Sequence, residues 1–165
     1  MRILLIGILW IIFMLTGTPH FFHGLPVAVK CITYHFLHAN IFHLAINCIS
    51  VWYLFSERRP LRSNIRDFIV GFFLATISYL AVSSEIIGIS NIIYAVLGFR
   101  TPSFSHSWWR SKPAIIFFCV SAAMLFFPQF AALTHITSFF GGVLLACLRR
   151  KINSIENDYK RAGGK

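Results

Sequence analysis

Apolar runs that approach the thickness of a membrane, each set off from the next by a cluster of positive charge, constrain this chain more than any motif in it. Hydrophobic residues make up 57% of the 165 positions and charged residues only 12%, and the mean hydropathy is +0.72. A helix needs about 20 apolar residues to cross a hydrocarbon core of ~30 Å. Six apolar segments follow from the pattern, roughly 3–22, 33–55, 68–83, 90–99, 114–127 and 132–148. The first has a signal-peptide flavour, with Arg2 ahead of an apolar stretch, but no small-x-small cleavage site follows before Thr18-Pro19, so it is read as a span. The expected fold is an all-α membrane protein with six transmembrane helices over residues 1–150, followed by a polar cytoplasmic tail at 151–165.

The net charge of +10 does not mark a nucleic-acid partner. The basic residues lie between the apolar runs: Arg2; Arg58, Arg59, Arg62 and Arg66; Arg100, Arg110 and Lys112; and Arg149, Arg150, Lys151, Lys160, Arg161 and Lys165. These are 14 of the 15, leaving only Lys30, and no basic face alternates with stacking aromatics as an RNA-binding surface requires. Cytoplasmic loops carry an excess of Lys and Arg. With the N-terminus inside, loops 57–67 and 100–113 and the tail from 149 are cytoplasmic and Lys30 alone lies outside. Trp52, Tyr53, Trp108 and Trp109 then fall at the inner interface, where aromatics are enriched. Cys31, Cys48, Cys119 and Cys147 show no CxxC or Cys/His spacing, so they are read as small buried thiols, with no metal or cofactor.

That orientation gathers the costly polar residues. His43 and Asn47 lie in the outer half of the second segment, Ser90 opens the fourth, and His135 is near the outer end of the sixth. The fourth segment is anomalous as well: a helix over 90–100 covers only ~15 Å, and Pro102 discourages its continuation. Ser90 is therefore expected below the outer surface, reached by irregular backbone at 84–89, which is tolerated at that depth only against protein or a wet cavity.

A serine hydroxyl is a weak nucleophile until a base takes its proton, and histidine is suited to that task near neutral pH. Gly98 lies eight residues after Ser90 and Gly142 seven after His135. A contact between these glycines would let the two helices approach closely and bring Ser90 and His135 within hydrogen-bond reach, with Tyr94 packed beneath the imidazole. His43 and Asn47, at i and i+4, project from one helix face and can both donate to an oxyanion. The Ser90 backbone N–H, free at a helix N-terminus, is a third donor. Glu85 is the only acid on the outer side, so a hydrolase built from these groups uses a Ser–His dyad. Each group also has a plainer use: Ser90 bonding back to its own helix, His135 at the interface, and His43 with Asn47 as an interhelical clamp. His38 is expected to face the outer aqueous interface, and His20, His23, His35 and His106 are assigned no chemistry.

Taken together, these residues resemble the rhomboid family of intramembrane serine proteases. The family's H-x-x-x-N, G-x-S-G and A-H-x-x-G-x-x-x-G motifs correspond here to His43-x-x-x-Asn47, Gly88-Ile-Ser90-Asn91 and Thr134-His135-x-x-Ser138-x-x-x-Gly142. The family's histidine five before the first motif appears as His38, and its tyrosine four after the serine as Tyr94. The resemblance covers essentially the whole chain and implies a compact six-span rhomboid-like bundle with a short, recessed fourth helix, N-in and C-in, in a bacterial inner membrane. It implies Ser90 as nucleophile, His135 as general base, His43, Asn47 and the Ser90 amide as the oxyanion hole, and Gly88, Tyr94, Gly98 and Gly142 in support. The implied partners are membrane lipid and transmembrane protein substrates, cut near their outer ends at small residues followed by helix-destabilising ones. Asn91, Ser138 and Thr134 replace the family's Gly, Gly and Ala, and Val29-Lys30 stands where the family has Trp-Arg. The alternatives are a rhomboid-like protein that binds transmembrane helices without cutting them, and a haem- or metal-binding membrane protein using some of the seven histidines.

Overall fold

The computed structural model describes residues 1–16, 26–55, 57–82, 88–101 and 132–163. Among these, every regular element is helical: α1 (Arg2–Thr16), α2 (Val27–Thr33) running into a 3-10 turn (Tyr34–Phe36), α3 (Ile41–Leu54), α4 (Leu61–Val82), α5 (Ser90–Arg100) and α6 (Ala132–Gly163). α4 and α6 are each long and apolar enough to cross a membrane, and the pair Val29–Phe36 with Ile41–Leu54 makes a third such span if taken together. α1, at 15 residues, is apolar but shorter. The expected fifth segment and the end of the first lie outside the described residues.

The second segment is not the single helix that its hydropathy predicts. Its two halves meet at 84°, because the chain leaves the 3-10 turn in extended backbone at Leu37 and restarts at Asn40. The Asn40 side chain accepts from the His43 N–H at 2.9 Å, an N-cap that satisfies one orphan donor of the new helix and stabilises it by about 1 kcal/mol. A short amide side chain next to its own backbone offers an alternative to continuing the helix. Elsewhere the sequence-based limits shift outward. α4 starts seven residues before the expected 68, where the Pro60 carbonyl accepts from the N–H groups of Ser63 and Asn64, and α6 runs unbroken through the polar residues after 150.

α5 is the centre of the bundle. All of its residues are buried except the half-buried Tyr94, and Ile92, Ile93 and Val96 join Leu9, Leu44, Val51, Phe55 and Ala75 in one apolar core. α6 lies along α5 in the same direction, so close that a methyl at Gly98 would overlap the Phe139 carbonyl and one at Gly142 would overlap the Ala95 carbonyl. The Gly142 methyl would also sit 3.1 Å from the Gly98 carbonyl carbon. This is the approach of small residues that draws membrane helices together.

At the opposite end from Ser90, Arg100 closes α5. The sequence suggests a solvated loop charge there, whereas its side chain is 3% exposed. Arg100 Nε donates to Asp67 Oδ2 at 2.7 Å, Nη2 donates to Asn64 Oδ1 at 3.1 Å, and Nη1 donates to the Leu54 carbonyl at the end of α3. Asp67 is fully buried and also meets Arg66 at 2.9 Å and Arg59 at 3.6 Å. A buried ion is tolerated only when paired and hydrogen-bonded; three helices meet that demand here. Arg2 belongs to the same end, over the Trp52 ring at 3.7 Å and 3.4 Å from Glu57, as does Arg149, 6.0 Å from the Phe99 ring.

Candidate active site

At the other end of α5, the close packing of α5 on α6 has a direct consequence for two polar side chains. Ser90 Oγ and His135 Nε2 lie 2.8 Å apart, both buried. The imidazole stacks on Tyr94, with ring centroids 4.5 Å apart and 14° between planes. An imidazole held flat against a ring keeps its nitrogen aimed at the hydroxyl, the arrangement that general-base activation of a serine needs.

α3 brings His43 and Asn47 to the same place, and Gly88 shows how close they come. Gly88 has φ +127, a conformation open to glycine and strained for other residues. A Cβ there would lie 2.8 Å from His43 Cε1, 3.0 Å from His43 Nε2 and 3.2 Å from Asn47 Nδ2. With no side chain at this position, the backbone two residues before Ser90 rests directly on both groups. Asn47 is 3% exposed, and its Nδ2 has no hydrogen-bond partner among the described residues. Buried amide donors are ordinarily paired. One left open beside a serine–histidine pair suits a ligand oxygen.

The structure brings Ser90, His135 and Tyr94 into contact, sets His43 and Asn47 against Gly88 two residues before Ser90, and packs Gly98 against Gly142 farther along the same pair of helices. His38 is placed differently from expectation. It is 1% exposed, donates from Nδ1 to the Phe36 carbonyl at 3.2 Å, and packs edge-on to His43 at 5.2 Å. It lies in the bend between α2 and α3, not on a continuous helix. The replacements of family glycines are accommodated without separating α5 from α6. Ser138 and Asn91 are both fully buried, and among the described residues neither the Ser138 hydroxyl nor the Asn91 amide has a hydrogen-bond partner.

A polar constellation held among apolar helices long enough to cross a membrane defines the class of molecule, an integral membrane protein with a buried serine–histidine site. A rhomboid-domain family model matches residues 27–152, most of the chain. The chain belongs to the rhomboid family, whose members are in general intramembrane serine proteases and include non-proteolytic relatives. No curated protein matches it.

Neither the burial of His35 nor the depth of Arg100 is evident from the sequence. His35 is fully buried and bonds Thr76 of α4. Its only signal was its place three residues before His38, in a segment rich in histidine. Arg100 is the one basic residue that directly ends an apolar segment before a proline, and its partner Asp67 is an acid at the edge of the preceding apolar run.

Proposed function

We propose that this rhomboid is an active intramembrane serine protease that hydrolyses peptide bonds of transmembrane substrates through a Ser90–His135 dyad. His135 Nε2 takes the Ser90 proton as Oγ bonds to the scissile carbonyl carbon. The carbonyl oxygen becomes an oxyanion that accepts hydrogen bonds from His43, Asn47 and the Ser90 N–H. Collapse of this intermediate breaks the C–N bond, and His135 returns the proton to the leaving amine. Water, deprotonated by the same imidazole, then adds to the acyl carbon, and the ester bond to Oγ breaks as His135 returns that proton to Ser90. Donors fixed in advance around a developing oxyanion usually contribute the largest part of such catalysis. The observation that carries the proposal is the 2.8 Å Ser90–His135 contact with Tyr94 stacked beneath it. We further propose that the Ser90 end of the bundle faces outward, with the basic end in the cytoplasm.

Incubating the purified protein in detergent or liposomes with a model transmembrane substrate, beside Ser90→Ala and His135→Ala, tests this. Cleavage is expected from the wild type alone, together with labelling of Ser90 by a fluorophosphonate that requires His135. Equal cleavage by wild type and Ser90→Ala would sink the proposal. A folded wild type that binds the substrate and leaves it intact would point to a non-proteolytic helix-binding protein.

A further inference from the structure

The 3-10 turn Tyr34–Phe36 is the piece of backbone on which Gly88 hangs. The Gly88 N–H donates to the Tyr34 carbonyl at 2.8 Å, and Gly88 in turn rests against His43 and Asn47. On its other side the turn is fastened to α4. The Tyr34 hydroxyl donates to the Ala75 carbonyl at 2.9 Å, and the Tyr34 ring stacks on Tyr79 at 4.1 Å. His35 Nε2 lies 2.9 Å from Thr76 Oγ1, and the His35 ring packs against Phe72 at 4.8 Å.

The proton positions at His35 follow from its neighbour. The Thr76 hydroxyl hydrogen is committed to the Phe72 carbonyl, 2.9 Å away. Its oxygen is left to accept, so His35 Nε2 carries the proton and donates. Nδ1 is buried with no hydrogen-bond partner among the described residues. A fully buried imidazole with one nitrogen committed to a threonine and the other enclosed is not placed to act as an acid–base catalyst. It is also a poor choice for mere filling, because an unpaired buried nitrogen is costly.

We propose that His35 is a positioning residue for the oxyanion donors. Its bond to Thr76 seats the 3-10 turn on α4, the Tyr34 carbonyl then holds Gly88, and Gly88 sets His43 and Asn47 beside Ser90. This inference rests on the protease reading for its effect on catalysis, and on geometry alone for its effect on His43.

Two readouts separate those parts. Steady-state cleavage of a model transmembrane substrate is measured for His35→Leu, Thr76→Val, the double variant and His35→Gln, each well below its unfolding temperature. Both single variants are expected to lower kcat about tenfold with KM within about twofold, the pattern of lost transition-state stabilisation. The double variant should be little worse than either, since one bond is removed twice, and His35→Gln, which keeps an N–H donor, should recover much of the loss. Lower thermal stability with unchanged kcat, or independent losses in the double variant, would overturn the proposal. Histidine side-chain 15N spectra supply a readout that needs no turnover. His35 should appear as the Nε2–H tautomer, and Thr76→Val should move the His43 resonances. Unmoved His43 resonances would overturn the positioning role even where the wild type cleaves nothing, and a wild type without cleavage but with the expected spectra would fail the protease reading only.

Discussion

Asn47 is the residue at which structural and catalytic roles part most cleanly. A clamp between helices would use its amide on a neighbouring helix, yet among the described residues Nδ2 has no partner, and it lies beside Gly88. Asn47→Ala should therefore lower kcat by about 10²–10³, the usual effect of losing one oxyanion donor, with little change in KM. Steady-state kinetics on a transmembrane substrate check this, and a loss confined to KM would remove Asn47 from the oxyanion hole. The types and spacing of His43, Asn47, Ser90 and His135 were legible in the sequence because each is a polar group in an apolar run. The burial of His38 and the bond of His35 to Thr76 were not, because they lie at a bend that a smooth hydropathy profile does not register.

Helix α5 illustrates how much of an element can be read ahead of its packing. Its limits follow from Ser90 and from Arg100 before Pro102, and the structure starts and ends it there. Its surroundings had to be seen. Arg100 reaches Leu54, Asn64 and Asp67 across 46, 36 and 33 positions, and no local pattern encodes that. Arg100→Leu leaves Asp67 buried against the weaker Arg66 and Arg59 contacts and should destabilise the fold by about 3–5 kcal/mol. Combining Arg100→Met with Asp67→Leu should recover much of that, because an apolar pair of similar volume leaves no buried charge. Thermal unfolding in detergent compares the two. At the α6 interface, Gly98→Ala puts a methyl into the Phe139 carbonyl, and backbone does not yield as a flexible side chain does. The helices must separate, so fluorophosphonate labelling of Ser90 is expected to fall sharply in protein that still unfolds cooperatively. Undiminished labelling would show that the close approach is not what holds Ser90 to His135.

Over the whole molecule, the charge clusters scattered along the chain gather in space. Arg2, the Arg59–Arg66–Asp67 group, Arg100 and Arg149 all occupy the end of the bundle away from Ser90. The bias of Lys and Arg toward the cytoplasm is the ground on which we propose that this end faces inward. A C-terminal fluorescent-protein fusion should be fluorescent in cells, and a fusion to a phosphatase that matures only outside the cytoplasm should be inactive. The reverse pair of results would invert the topology and put the serine site at the cytoplasmic face.

The sequence by itself determined the membrane habit of this protein, the helical build of its described residues, the bounds of α5 and the residue types available for chemistry. Hydropathy, charge clustering and motif spacing are properties of neighbouring residues, and they survive without any knowledge of the fold. Only the tertiary structure decided that Ser90 meets His135 across 45 positions, that Gly88 rests on His43 and Asn47, and that His35 and Arg100 are buried and bonded. Those outcomes follow from how closely α5 can approach its neighbours and from where the chain bends at Asn40. In an apolar bundle, a polar side chain takes its partner from whichever helix the packing brings within reach.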